Sequence, residues 1–347
     1  MLTRFSQQDI VVSTDSLVTS TWSNNTNNLQ TGYTASNNHF NSPTSSGWFH
    51  LDVYNIDPAS SAAEIQYSCG YGNRLGSGSP DFTADSGSHG MNASRATYGA
   101  YRNLVFGDEA QNFTFDTHVP EDIWVINVNR ARYKQSLKPG SLNIKISGSQ
   151  IVDGINPSKG FMFELTDDSV TSNGSAKLTN LGRQFNIVSG TSGVRSGSFL
   201  GQIAGSSSFG LFYPDAGIII LNPDNFGTGS LKPFRNDGTS NTDRNPEKLY
   251  HAISSAGHFI IDSEEKVTSQ YYFTRVKNSE HNYTTNPSFI DEQGNLRFQS
   301  MADQPTVYIT TVGLYNDNGD LLAVAKLSKP LAKDFTKESL IKVKIDY

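Results

Sequence analysis

The sequence predicts a mainly β protein: two or three β-sandwich-like domains with short helices and an extended N-terminal arm. Short runs alternate apolar and polar residues with period two, as in Leu142-Asn143-Ile144-Lys145-Ile146 and Ile341-Lys342-Val343-Lys344-Ile345. Gly, Asn, Asp and Pro clusters punctuate these runs, and few stretches suit a helix. Only 36% of the 347 residues are hydrophobic, yet 20 Phe and 15 Tyr supply bulk for cores over that length.

Residues 1–47 are rich in Ser, Thr, Asn, Gln and Gly, a composition that buries too little apolar surface to offset its ordering entropy. Phe5, Trp22, Tyr33 and Phe40 are spaced through it as anchors. The segment reads as an arm that orders on a neighbouring subunit, or more plainly as a flexible terminus. A first β-rich domain spans 48–150. It opens with a strand at 48–54, where Phe49, Leu51 and Val53 share a side and Asp57-Pro58 ends the run. A strand at 64–71, a helix at 93–106 and an apolar strand at 122–128 follow. Arg130, Arg132 and Lys134 then form a basic strip before the Lys138-Pro139-Gly140 turn and the strand at 142–146.

A Gly/Ser-rich β domain spans 151–250. It carries a strand at 160–165, loops around short strands at 188–201, and a hairpin of 208–213 with 217–221 about Pro214-Asp215-Ala216. Ile218 to Leu221 lacks alternation, which predicts burial on both faces. A polar loop at 236–245 precedes a short helix that Pro246 opens. The C-terminal β domain, 251–347, has a strand at 267–276 and a hairpin at 306–327 that turns at Asn316-Asp317-Asn318-Gly319. Leu321, Ala323, Ala325 and Leu327 should line one face. A short helix at 333–340 and a docked terminal strand at 341–347 complete the prediction.

The net charge of −6 argues against a nucleic-acid partner, which needs Lys/Arg to displace phosphate counterions. No apolar run is long enough for membrane insertion, and no basic-then-apolar leader is visible at the start. The single cysteine, Cys69, rules out an intrachain disulfide framework and reads as a small buried hydrophobe. No catalytic residue, cofactor or metal ligand is expected. The seven histidines lack the spacing of a helical zinc motif, and His251 and His258 share no helical face. Gly70-Tyr71-Gly72-Asn73-Arg74-Leu75-Gly76 has its third glycine one residue late for a dinucleotide loop and reads as a turn and loop. Ser339 and Lys342 lie at a helix-to-strand junction, where a catalytic pair would not form. Asp167-Asp168 and Glu264-Glu265 are adjacent and should point apart, whereas glycosidase carboxyls must converge. The loops at 236–245 and 316–320 lack full calcium-ligand spacing. Arg130, Arg132 and Lys134 read either as a solvated strand end paired with nearby acids or as a patch that docks an acidic neighbour.

Phe212-Tyr213-Pro214-Asp215-Ala216-Gly217-Ile218-Ile219-Ile220-Leu221-Asn222-Pro223 resembles a recurring segment of virion structural proteins of T4-like tailed phages, including those of cyanobacteria. Tyr308-Ile309-Thr310-Thr311-Val312-Gly313-Leu314-Tyr315-Asn316-Asp317 is similar to the same group, as is the run from Leu321 to Pro330. So are Phe273-Thr274-Arg275-Val276 and Asn282-Tyr283-Thr284-Thr285-Asn286-Pro287. The resemblance implies a non-enzymatic structural subunit of a contractile-tailed particle, made in the host cytoplasm and placed at the baseplate or tail. A neck or fibre-attachment position is the alternative. Its partners would be other tail, baseplate or neck proteins and copies of itself. Candidate assembly contacts are Trp22, Tyr33 and Phe40 on the arm, Arg130, Arg132 and Lys134 on the strip, and Ile341, Val343, Ile345 and Tyr347 on the terminal strand. The terminal hairpin and strand together are expected to form the main docking sheet. Two other classes stay open: a receptor- or glycan-binding fibre module and an envelope-degrading enzyme.

Overall fold

The computed structural model describes residues 3–29, 32–34, 50–79, 93–152, 156–171, 176–196, 208–226, 231–234, 245–284 and 286–347. In chain order the strands are β1 (Ile10–Ser20), β2 (Tyr33–Thr34), β3 (His50–Tyr54), β4 (Ile65–Asn73), β5 (Asp122–Val128), β6 (Ser136–Leu137), β7 (Asn143–Val152), β8 (Asn156–Asp167) and β9 (Lys177–Thr179). Then come β10 (Gly182–Thr191), β11 (Val194–Arg195), β12 (Gly210–Tyr213), β13 (Ile218–Leu221), β14 (Phe259–Ile260), β15 (Asp262–Val276), β16 (Val307–Tyr315), β17 (Leu321–Lys333) and β18 (Ser339–Asp346). The α-helices are α1 (Ala93–Phe106), α2 (Asn245–Ala256) and α3 (Gln299–Asp303). The chain is mainly β with large antiparallel sheets, as the alternation predicts.

Two compact units form, one from Leu17–Glu265 and the other from Met1–Ser16 with Lys266–Tyr347. Boundaries at 47, 150 and 250 are not those of the units. Strand pairing joins what composition separates: β5, from the expected first domain, pairs with β13 from the second over Asn127↔Ile218 to Trp124↔Leu221.

In the larger unit one sheet runs in the order β14-β7-β8-β10-β12-β13-β5-β4-β3-β2, with β9 and β11 added to β10. Among the described residues its strand pairings are all antiparallel. The central strands bury both faces. Trp124, Ile126, Phe212, Ile219 and Leu221 enter a core shared with Leu249, Ala252 and Ile253 of α2. Ile123, Val125, Leu211, Ile218 and Ile220 point the other way, towards Tyr98 and Val105 of α1. This explains why Ile218 to Leu221 shows no alternation. α1 approaches β4 so closely that a Cβ at Gly72 would lie 2.9 Å from the Tyr98 backbone nitrogen. Residues 70–73, read as part of a loop, therefore belong to a strand, and glycine there lets a helix rest on it.

The sheet curls until strands far apart in its order meet across the core. Tyr67 of β4 and Phe259 of β14 stack edge-on at 5.4 Å between centroids. Trp22 seals this junction at 2% exposure, its ring 4.9 Å from that of Phe259. Asn28 Oδ1 accepts from the Phe259 amide, and the Leu29 amide donates back to the Phe259 carbonyl. The reading of 1–47 as an arm spent on a neighbour is thus corrected for its described part. Trp22 fills a core of its own chain, and 10–20 is a strand beside β15. Of residues 188–201, expected to be loops around short strands, 188–191 belong to the ten-residue strand β10, which also pairs with β8 and β12, 194–195 form the short strand β11, and 197–201 lie outside the described residues.

The smaller unit has β1, β15 and β18 in one sheet and the β16–β17 hairpin as a second. β15 and β18 pair antiparallel from Ser269↔Asp346 to Val276↔Ser339, which docks the C-terminal strand as expected. Val312 and Leu314 of the hairpin meet Val343 of β18 in a small core flanked by Phe5, Tyr272, Ala323, Ala325 and Leu327. The hairpin turns where Asn316-Asp317-Asn318-Gly319 predicts, with Gly319 at φ +87. A register shift between Leu314 and Tyr315 leaves Leu322 unmatched and turns Leu321 out to 52% exposure, so it leaves the apolar face. The helix expected at 333–340 does not form. β17 continues to Lys333, and Asp334 Oδ1 accepts from the Thr336 amide in a turn that leads into β18.

Candidate assembly surfaces

The ten candidate contact residues fall into three environments. Trp22 is core, and Phe40 lies outside the described residues. Tyr33, on β2 opposite Tyr54, is 48% exposed and open to a partner.

The basic strip is a 3-10 turn, Arg130–Arg132, whose preceding Asn129 accepts from the Ala131 amide. Arg130 lies over the Tyr133 ring at 4.7 Å and donates to the Tyr133 carbonyl at 2.7 Å. Arg132 pairs with Glu64 at 2.7 Å and donates to Ser23 Oγ. Hydrogen bonds from Ser23 and Arg132 hold the Glu64 carboxyl below its ordinary range. Arg132 is thus paired with an acid of its own chain, and Arg130 is held by a ring and a carbonyl instead. Lys134 remains exposed.

On β18 the predicted alternation places Val343 inward, with Ile341 and Ile345 packed partly against the same core. Their apolar faces are used inside the smaller unit. Tyr347 is 67% exposed, its hydroxyl accepting from Gln270 Nε2 at 2.8 Å. Lys342 and Lys344 alternate with these residues, and Lys342 lies over the Tyr271 ring at 3.9 Å. Lysines on an edge strand oppose indiscriminate strand addition.

Further exposed apolar surface of the smaller unit lies on β1 and on the expected docking hairpin, which forms a sheet apart from β18. Ile10, Val11 and Val12 on edge strand β1 are exposed, as are Tyr308, Leu322 and Val324 on the hairpin. This unit holds about a third of the described residues but 15 of the 25 exposed large hydrophobic side chains among them. It also contains a cleft of about 610 Å³ lined by Val276, Tyr283, Phe289, Tyr308, Val312 and Ile341. The loop on one side of it is pinned by Lys333, fully buried, which donates to Asn282 Oδ1 at 2.7 Å and to the Asn278 carbonyl at 3.2 Å. A run of consecutive apolar residues on β1 was legible, but its exposure depends on β1 being an edge.

The groups weighed for chemistry are engaged in structural contacts. Asp167 accepts from the Gly140 and Ser169 amides, and Asp168 from the Asn186 amide and side chain, so the two carboxyls diverge. Burial raises the Asp167 carboxyl, with those hydrogen bonds opposing it. Glu264 lies 4.0 Å from Arg183, whose guanidinium grips Asp215. Ser68 Oγ donates to Asp52 at 2.5 Å while His50 lies 3.7 Å from the same carboxylate. That order puts the acid between serine and imidazole, where nucleophile activation needs the imidazole in the middle. Burial pushes the Cys69 thiol up, away from reactivity. Asn316 uses its side chain on Asn318 and Asp320, which makes 316–320 an ordinary turn. Of the loop at 236–245 only Asn245 lies within the described residues, holding Phe234 through both amide and carbonyl. Among the described residues no group of three or more His, Cys, Asp or Glu could hold a metal ion, and no helix is long and apolar enough to cross a membrane. Comparison with known proteins brings no matching family model, curated protein or solved structure.

Proposed function

We propose that this chain is a non-enzymatic structural subunit of a contractile-tailed phage particle, associated with the baseplate or tail and assembling through protein–protein contacts. The supporting observation is the surface of the smaller unit. A core of three well-buried side chains is surrounded by exposed Ile, Val, Leu and Tyr on strands with open edges. Exposed apolar surface of this kind marks interaction sites, and paired or covered edges are what assembly supplies. The phage setting rests on the resemblance of 212–223, 273–276, 282–287, 308–317 and 321–330 to virion structural proteins. Neighbours would be other tail, baseplate or neck proteins and further copies of the chain.

The test pairs Leu322→Lys with Val324→Lys, two outward side chains of β17. The variant should melt like the wild type yet be lost from purified particles and from complexes with tail proteins. Normal incorporation would overturn this reading.

One observation favours a second reading, a receptor- or glycan-binding fibre module. Tyr283, Phe289 and Tyr308 offer partly exposed rings at the cleft, the geometry on which sugars stack. It predicts binding of purified protein to host glycans that Tyr308→Ala abolishes.

A further inference from the structure

Strand β1 ends its sheet: the order is β1-β15-β18, so among the described residues one long side of β1 has no strand beside it. It runs unbroken for 11 residues, Ile10–Ser20, and contains no Lys, Pro or Gly. Lys and Pro are the usual means by which edge strands block strand addition, and β18, at the opposite end of the same order, carries Lys342 and Lys344. Ile10, Val11, Val12, Leu17 and Val18 are all exposed, and Asp15 is the one charged residue of the strand. Apolar side chains therefore stand towards both ends of β1, with Ser13, Thr14, Asp15 and Ser16 between them.

We propose that the open edge of β1 pairs antiparallel with β1 of a second copy of this chain, about a two-fold axis at Thr14. In such a pairing residue i meets j and j meets i. With the axis at Thr14, Ile10 faces Val18 and Val11 faces Leu17, each twice by symmetry, while Thr14 faces Thr14 and Ser13 faces Asp15. Facing residues lie on one side of the sheet, so the register changes only by moving the axis a whole residue. At Ser13 the axis would set Asp15 against Val11, and at Asp15 it would set the two carboxylates against each other. Apolar pairs and a Thr–Thr pair stabilise an antiparallel contact, and like charges directly opposite destabilise it, so the strand's own sequence selects Thr14. The two Asp15 side chains then stand diagonally, and each has Lys344 of its own chain within electrostatic reach. An edge of unrelated sequence matches these positions by chance, whereas a second β1 matches them by symmetry. The pairing rests on the reading of this chain as an assembling subunit and names one partner for it.

The test uses the full chain, whose native thiol, Cys69, is buried and leaves an introduced cysteine to react alone. Thr14 is exposed, and directly opposed Cβ atoms lie about 4.5–5.5 Å apart, close to the reach of a disulfide. Thr14→Cys should therefore give a disulfide-linked dimer on mild oxidation. Val11→Cys and Leu17→Cys should each stay unlinked alone and link to one another when the two variants are mixed. Thr14→Lys sets two ammonium groups on the axis, so in sedimentation equilibrium it should turn the dimer into monomer at an unchanged melting temperature. An equimolar mixture with Thr14→Glu should restore the dimer. A monomeric wild type, a dimer that Thr14→Cys does not link, or Val11→Cys that links to itself as readily as Thr14→Cys would each overturn the pairing. The particle assay of Leu322→Lys with Val324→Lys is separate, so the pairing can fail while the assembly reading holds.

Discussion

The indole Nε1 of Trp22 donates to the carbonyl of Phe259 at 2.9 Å, although 237 positions separate them in the chain. Both residues belong to the larger unit, and the bond is buried. It fastens an Asn- and Ser-rich segment to the strand that begins the curled sheet. The Phe259 carbonyl also accepts from Leu29, so one peptide holds two points of that segment.

Trp22→Ala should therefore cost about 3–5 kcal/mol, the range for emptying a large aromatic site, with the indole bond lost besides. Trp22→Phe keeps most of the volume and should cost about 1–2 kcal/mol through the orphaned carbonyl. Urea unfolding of the larger unit measures both, and equal midpoints for the two variants would contradict the assigned bond.

Gly217 closes the β12–β13 hairpin at φ +70, and a Cβ there would fall 2.8 Å from the Tyr133 ring. Gly217→Ala combines a left-handed backbone with a ring clash. A loss of at least about 1–3 kcal/mol is expected from the backbone alone. Thermal unfolding of the variant checks it.

Burial holds the His258 imidazole below its ordinary value of 6.5, Lys145 reinforces this, and Glu164 opposes it. The folded chain then takes up that proton less readily than the unfolded chain. His258 contributes stability above pH 6.5 that is lost as pH falls below 6.5 towards the folded value. The denaturation midpoint of the wild type should drop more steeply below pH 6.5 than that of His258→Asn. Parallel curves would refute this.

Lys333 holds the loop at 278–282 through two hydrogen bonds to neutral oxygens. Lys333→Met keeps a similar stem but removes the donor. Limited proteolysis should cut faster between 277 and 306, with the melting of the larger unit unchanged. Unaltered cleavage would show that the loop is held by other means.

Much of this architecture is written in local patterns. The Asn-Asp-Asn-Gly turn, the unbroken Ile218 to Leu221 run and the helix at 93–106 are where turn chemistry and periodicity put them. Trp22 was misread because composition averages over a segment, whereas one indole with an acceptor can anchor it. Leu321 left its predicted face because a bulge at Leu322 changes parity, and no alternation pattern announces a bulge. The helix expected at 333–340 lost to a longer strand, whose last residue is a buried lysine.

The discontinuity of the smaller unit bears on how the polypeptide leaves the ribosome. β1 emerges early, but β15, the neighbour beside which it lies, follows only after more than two hundred further residues. Until then the nascent chain carries Ile10-Val11-Val12 as an unsatisfied β segment, the kind of sequence that recruits foreign strands. Productive biogenesis thus depends on the intervening polypeptide being translated and folded faster than that segment meets another chain. Slow translation across 17–265, or withdrawal of holdase chaperones, should shift the yield from soluble protein to inclusion bodies, and a Val11→Lys substitution should partly restore it.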